Sequence, residues 1–300
     1  MKVAVLIISA LLSFLPLNLI DYSSNVKILV HSSEHFVWYV DLPSLLYLVS
    51  NGIELEKYYD YPEEVLDLLV KNFGCHERFN DTQNTEKLSV FVRLSNYAYA
   101  TSNEVSVPVD SFRNEYCDYN NGWFYVLLTH EMVNMYTART VSPGWPVDWW
   151  ADHKSPYPLV TACLIMNQTD IAKLSKISEC HLSNNLNKPF VKMFFSIYKN
   201  FGSEFFKKMF DLMRNDSIEL DYIGENPSLL RTEYVFVYML LSNESVAKIL
   251  DQYHPGFNQS VLNETKKIIL ARNFVFNGHE EFLYDYLSGN YEYVASLAPS

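Results

Sequence analysis

The stretch Leu127-Leu128-Thr129-His130-Glu131-Met132-Val133-Asn134 lies in the middle of an apolar segment. On a helix, His130 and Asn134 fall one turn apart on one face. Glu131 follows about 100° around the axis. Trp123, Phe124, Val126, Leu127, Met132, Val133 and Met135 make the segment apolar on most sides. The pattern predicts a buried helix from near Gly122 to about Thr140.

Upstream of it the chain reads as strands and helices in turn. Residues 114–121 are polar and turn-rich. Lys87 to Leu94 alternates apolar and polar side chains and predicts a strand, with another over Glu104 to Val109. Pro62 to Phe73 reads as a helix, with Glu63 and Glu64 suited to its first turn, Leu66, Leu68, Leu69 and Val70 on its buried face and Gly74 at its end. Leu42 to Val49 reads as another helix. Val26 to Val30 and Phe36 to Val40 are β-rich runs separated by a stretch that carries His31 and His35, and they read as strands or a hairpin.

Downstream, Ser142-Pro143-Gly144-Trp145-Pro146 breaks the central helix. A short helix is expected over residues 147–153, with Pro146 at its start, followed by a stop at Ser155-Pro156-Tyr157-Pro158 and an apolar helix over Leu159 to Met166. Helical spacing recurs over residues 190–198, 205–213, 232–241, 245–253, 261–274 and 280–287, with a break at Asn200-Phe201-Gly202. Strands early and helices late predict an α+β fold: a small mixed sheet with helices, followed by an all-helical C-terminal domain. The expected division is a signal peptide over 1–21, an α/β subdomain over 22–142 that ends in the central helix, and a helical subdomain over 143–300.

Composition narrows the function. The formal charge is −12 without any Lys or Arg run, which argues against nucleic acid or an anionic membrane surface as partner. Nearly half of the 300 residues are hydrophobic, with 22 Tyr and 19 Phe, enough for a sizeable core. Lys2 followed by the apolar run Val3 to Leu15 reads as a secretory signal, with an uncleaved N-terminal anchor as the rival. A secreted or cell-surface location follows, without a stable membrane span once the signal is removed. Six Asn-x-Ser/Thr sequons fit export, at Asn80, Asn167, Asn215, Asn243, Asn258 and Asn263. So do the four cysteines Cys75, Cys117, Cys163 and Cys180, which allow three pairings. Proximity in sequence favours Cys75–Cys117 with Cys163–Cys180; buried free thiols are the alternative.

The residues around the central stretch resemble the gluzincin-type zinc metallopeptidases. There a His-Glu-x-x-His helix is followed, after a turn, by a second helix that carries a glutamate ligand. Here the stretch is His130-Glu131-Met132-Val133-Asn134, and the following segment is Asp148-Trp149-Trp150-Ala151-Asp152-His153. In the aminopeptidase branch of that group, eighteen residues separate the second histidine from the glutamate. Eighteen residues also separate Asn134 from His153, with Asp152 one position earlier. The Ala151-Asp152 pair is also similar to plant basic secretory proteins, an alignment that puts Asp148 near the glutamate position. Phe190 to Gly202 and Phe205 to Phe210 are similar to helical segments that follow such sites. The resemblance spans roughly residues 85 to 245.

That resemblance implies a zinc-dependent hydrolase acting on peptides or glycopeptides. Zinc would be held by His130, Asn134, Asp152 and His153, with Glu131 taking a proton from water and Tyr234 or Tyr238 stabilising an oxyanion. Two departures bear on it. Asn134 stands where a histidine belongs, and an amide oxygen is a weak zinc ligand beside imidazole. No glutamate occupies the third position. Either Asp152 and His153 both ligate, or Asn134 binds a harder metal through its oxygen. The competing reading makes His130 a core histidine bonded to Asp148 or Asp152, Glu131 an ion-pair partner, and the chain a metallopeptidase-like binding or surface protein without catalysis.

Overall fold

The computed structural model describes residues 26–74, 87–101, 103–140, 156–214, 239 and 242–253. The fold is mixed α+β. Ile28–Ser32 (β1) and Phe36–Val40 (β2) pair antiparallel as a hairpin. Leu42–Ser50 (α1) and Tyr61–Phe73 (α2) follow, then Leu88–Arg93 (β3), Tyr99–Ala100 (β4) and Glu104–Pro108 (β5). The sheet order is β1-β2-β3-β5-β4. β2, β3 and β5 are parallel, and the two edge strands run antiparallel to their neighbours. The helices Gly122–Thr140 (α3), Pro156–Met166 (α4), Ala172–Asn185 (α5), Pro189–Arg214 (α6) and Ala247–Tyr253 (α7) complete the strands and α-helices among the described residues. None of them is long and apolar enough to cross a membrane.

The chain divides into two compact units. The first comprises, among the described residues, 26–71, 87–137 and 161–184; the second takes the rest. In the first, the three central strands bury one face of the sheet. Phe36, Trp38 and Val40 on β2, Leu88, Val90 and Val92 on β3, and Val105 and Val107 on β5 are each at most 3% exposed. β2 alternates buried and half-buried positions, whereas Val90 to Val92 of β3 and Val105 to Pro108 of β5 are buried without a break, as parallel strands covered on both faces are. On the other face Lys27 spans the rings of Phe91 and Tyr39 and pairs with Glu104.

The β1–β2 turn is tied to α2 through Glu63, which accepts from Ser33 Oγ, from the His35 backbone N–H (2.8 Å) and contacts His35 Nδ1 (2.7 Å). Burial pushes its carboxyl pKa up, but these hydrogen bonds outweigh it and hold the pKa below the usual value. His31 stacks on Tyr59 at 4.0 Å. Both histidines therefore hold the hairpin in place.

Asp41 joins α1 to β3. It caps α1 by accepting from the Ser44 N–H at 2.8 Å, and its other carboxylate oxygen accepts from the Leu94 N–H at 3.1 Å. It is 2% exposed. Asp41→Ala removes a cap and strands a partly buried N–H, an expected loss of about 2 kcal/mol. Asp41→Asn, which keeps an acceptor for the cap, should lose less; urea unfolding midpoints compare the two.

In the second unit Tyr157 sits among Phe194, Phe206 and Phe210, with Phe73 against Tyr198 and Phe210. α6 bends where the sequence predicts a break. Gly202 has φ 70°, a conformation that costs glycine little, and the bend stacks Tyr198 on Phe206 at 4.2 Å. α4 begins at Pro156 rather than after Pro158. Both prolines fall in its first turn, where no intrahelical N–H is needed.

Candidate functional site

α3 begins and ends where the sequence predicts. Its start is fixed by contact with the preceding turn. A Cβ on residue 122 would lie 2.7 Å from the Tyr116 carbonyl oxygen, so only glycine fits, and the Gly122 N–H bonds Tyr119 O at 3.0 Å. That turn is a two-residue hairpin. Tyr116 and Tyr119 exchange both backbone bonds at 3.0 Å around Cys117 (φ 52°) and Asp118 (φ 63°).

Between Gly122 and Thr137 most of α3 is buried. Trp123, Leu127, His130, Glu131 and Asn134 are its half-buried positions, and their spacing places them on one face. The opposite side is locked into the core: Thr129 Oγ donates to Tyr125 O at 2.7 Å and lies 2.6 Å from the Tyr61 hydroxyl. The three residues singled out by the sequence motif thus share a half-buried stripe of a helix that is otherwise buried between Gly122 and Thr137.

Within that stripe Asn134 Nδ2 donates to Glu131 Oε2 at 3.0 Å. A carboxylate only accepts, so the amide nitrogen faces it and the lone pairs of the amide oxygen are left available on Asn134. Burial pushes the Glu131 pKa up, and the Asn134 bond opposes this in part. His130 is pushed down to about 4, first by burial and second by repulsion from His181 on α5. At neutral pH it is an uncharged imidazole.

His181 and Tyr116 were not picked out by the sequence. His181 Nδ1 lies 2.6 Å from the Tyr116 hydroxyl, and the adjacent Cys180 is joined to Cys117. This corrects the expected pairing of Cys75 with Cys117 and of Cys163 with Cys180. The Tyr116–Tyr119 turn packs on α5, which brings together two cysteines 63 residues apart. Cys163 is a buried free thiol within α4, its pKa pushed up to about 12 by burial. A vicinal histidine beside a cross-linked cysteine was the signal available in the sequence.

Asp148, Asp152, His153, Tyr234, Tyr238 and Cys75 lie outside the described residues. Among the described residues no group of three His, Cys, Asp or Glu side chains is arranged to hold a metal ion. Family models, curated proteins and solved structures gave no match to this chain.

The His130 shift has a pH consequence. An unfolded histidine takes up its proton near pH 6.5, and folded His130 does so only near 4. Stability is therefore complete above pH 6.5 and is lost as pH falls from 6.5 towards 4. The full difference corresponds to about 3 kcal/mol at 1.36 kcal/mol per pH unit. Because the side chain keeps some solvent access, about 2 kcal/mol is expected. Glu131 works in the opposite sense, taking up a proton earlier when folded, and returns part of the loss as pH falls towards 4.5. His130→Gln should flatten the profile between pH 7 and 5 in urea titrations; an unchanged slope would assign the loss to other groups.

Proposed function

We propose that this chain is an exported, metal-dependent hydrolase of the metallopeptidase type, with its C-terminal half forming an all-helical domain. The observation that supports it is the half-buried stripe of α3, where an uncharged imidazole and a carboxyl of raised pKa occupy adjacent positions. A neutral imidazole is a metal donor, and a raised carboxyl is a better proton acceptor near neutral pH.

The chemistry of the donors fits a divalent cation: the His130 ring nitrogen, the amide oxygen left to Asn134, and the further donors expected of Asp152 and His153. Bound zinc supplies Lewis-acid activation of water at a peptide carbonyl. Glu131 would take a proton from the attacking water and pass it to the departing amine. Asn134, through its 3.0 Å bond, fixes the rotamer of Glu131 and keeps one carboxylate oxygen occupied. Tyr234 is the proposed oxyanion donor.

A second reading is favoured by that same bond. If Asn134 and Glu131 serve only each other, the chain is an extracellular binding or surface protein on a metallopeptidase-like framework. Metal analysis of protein purified without chelators, with peptide turnover measured on the same sample, separates the two. The hydrolase reading expects roughly one zinc per chain together with chelator-sensitive turnover. Metal-free, inactive protein supports the second reading.

A further inference from the structure

Two of the six sequons, Asn167-Gln168-Thr169 and Asn243-Glu244-Ser245, fall among the described residues. Both asparagines are exposed. Asn167 follows the last residue of α4, and its Oδ1 accepts from Ser175 Oγ at 2.8 Å. Asn243 is extended (φ −161°, ψ 116°), and its Oδ1 accepts from the backbone N–H of Ser245, the third residue of its own sequon, at 2.9 Å. That is an Asx turn. At both positions the amide oxygen is held by the protein, and Nδ2 has no partner among the described residues.

Five asparagines outside sequons behave differently. At Asn51, Asn121, Asn134, Asn184 and Asn200 the Nδ2 atom is spent on a hydrogen bond, to Tyr47 O, Tyr58 Oη, Glu131, Cys180 Sγ and Ser196 O respectively. A sugar on any of those nitrogens would break a bond of the fold. At residues 167 and 243 it would break none.

We infer that Asn167 and Asn243 carry N-linked glycans in the folded protein. The inference rests on the export reading, since the co-reactant is a lipid-pyrophosphate-linked oligosaccharide of the secretory pathway. Nδ2 attacks the anomeric carbon of that donor. The carbon–nitrogen bond forms, the bond from that carbon to the pyrophosphate oxygen breaks, Nδ2 loses one proton, and the lipid pyrophosphate leaves. No electrons change hands.

The test expresses the full chain in secretory cells in two forms, with its own N-terminus and with an appended leader that forces entry into the pathway. Peptide N-glycosidase treatment followed by mass spectrometry reads Asn-to-Asp conversion at each site. With the appended leader both sites should convert. Asn167→Gln and Asn243→Gln should each remove one glycan step in mobility, as should Thr169→Ala and Ser245→Ala, and Thr169→Ser should keep it. An unconverted Asn167 or Asn243 in the appended-leader form overturns the inference. Conversion there but not with the native N-terminus upholds it and overturns export instead.

Discussion

Serine at both Cys117 and Cys180 is expected to lower the unfolding free energy by about 4 kcal/mol, the chain-entropy value for a loop of this length. The bond spans 63 residues, including all of α3 and α4, so its removal releases a large part of the first unit in the unfolded state. It also frees a turn in which Cys117 and Asp118 both hold positive φ, a conformation that non-glycine residues adopt at some cost. The Tyr116–His181 contact is left to hold that turn against α5. Urea unfolding with and without reductant measures the effect. Reduced native protein should match the double variant, and Cys163→Ser should leave the dependence on reductant intact, because a thiol with its pKa near 12 is inert at neutral pH. A double variant within about 1 kcal/mol of the native protein would mean that the Tyr116–His181 contact and local packing, rather than the cross-link, secure the turn.

The elements that were legible in the sequence are those whose signal is local. The limits of α3 follow from Gly122, required by the close approach of Tyr116 O, and from an unbroken apolar run. β3 follows from alternation, and the bend of α6 from a glycine whose φ is positive. α5 was missed because its buried stripe, Leu174, Ile177, Ser178 and His181, is half polar. An apolar period does not survive where a histidine is buried through a bond to a tyrosine 65 residues away. The order β1-β2-β3-β5-β4 was equally hidden. Strand propensity says nothing of which strands pair, and the parallel pairing of β2, β3 and β5 is set by the buried face they share.

The candidate site shows the same division. The spacing of His130, Glu131 and Asn134 placed them on one face, and the structure leaves that face half-buried. The Asn134–Glu131 bond is an i, i+3 contact that helical spacing permits, yet the choice of partner depends on burial, which strips water from Glu131 and makes an amide donor valuable. The repulsion between His130 and His181 needs α5 in position, and nothing in the local sequence of α3 encodes it.

Glu131→Gln is expected to reduce hydrolytic turnover by roughly a hundred- to ten-thousand-fold, the usual contribution of a positioned proton acceptor. Glutamine is the informative substitution because it keeps the shape of the side chain and an oxygen for Asn134 Nδ2, so the stripe on α3 should stay intact. Metal content should therefore be unchanged, which distinguishes a lost base from a lost site. The native pH–rate profile should show an acid limb above pH 4.5, where raised Glu131 gains its proton and ceases to accept another. A residual rate within about twofold of native would remove Glu131 from the chemistry. Asn134→His tests the same stripe from the other side. It replaces the Nδ2–Oε2 bond with a second imidazole one turn from His130, the donor pair that one helix supplies to zinc. If the native protein is metal-free and this change confers both zinc and turnover, the natural stripe is the remnant of a hydrolase and the binding-protein reading stands. If the native protein already carries zinc and turns over, Asn134→His should tighten the metal, and the Glu131→Gln loss should persist in the double variant, because the proton acceptor and the metal donors are then separate parts of one site.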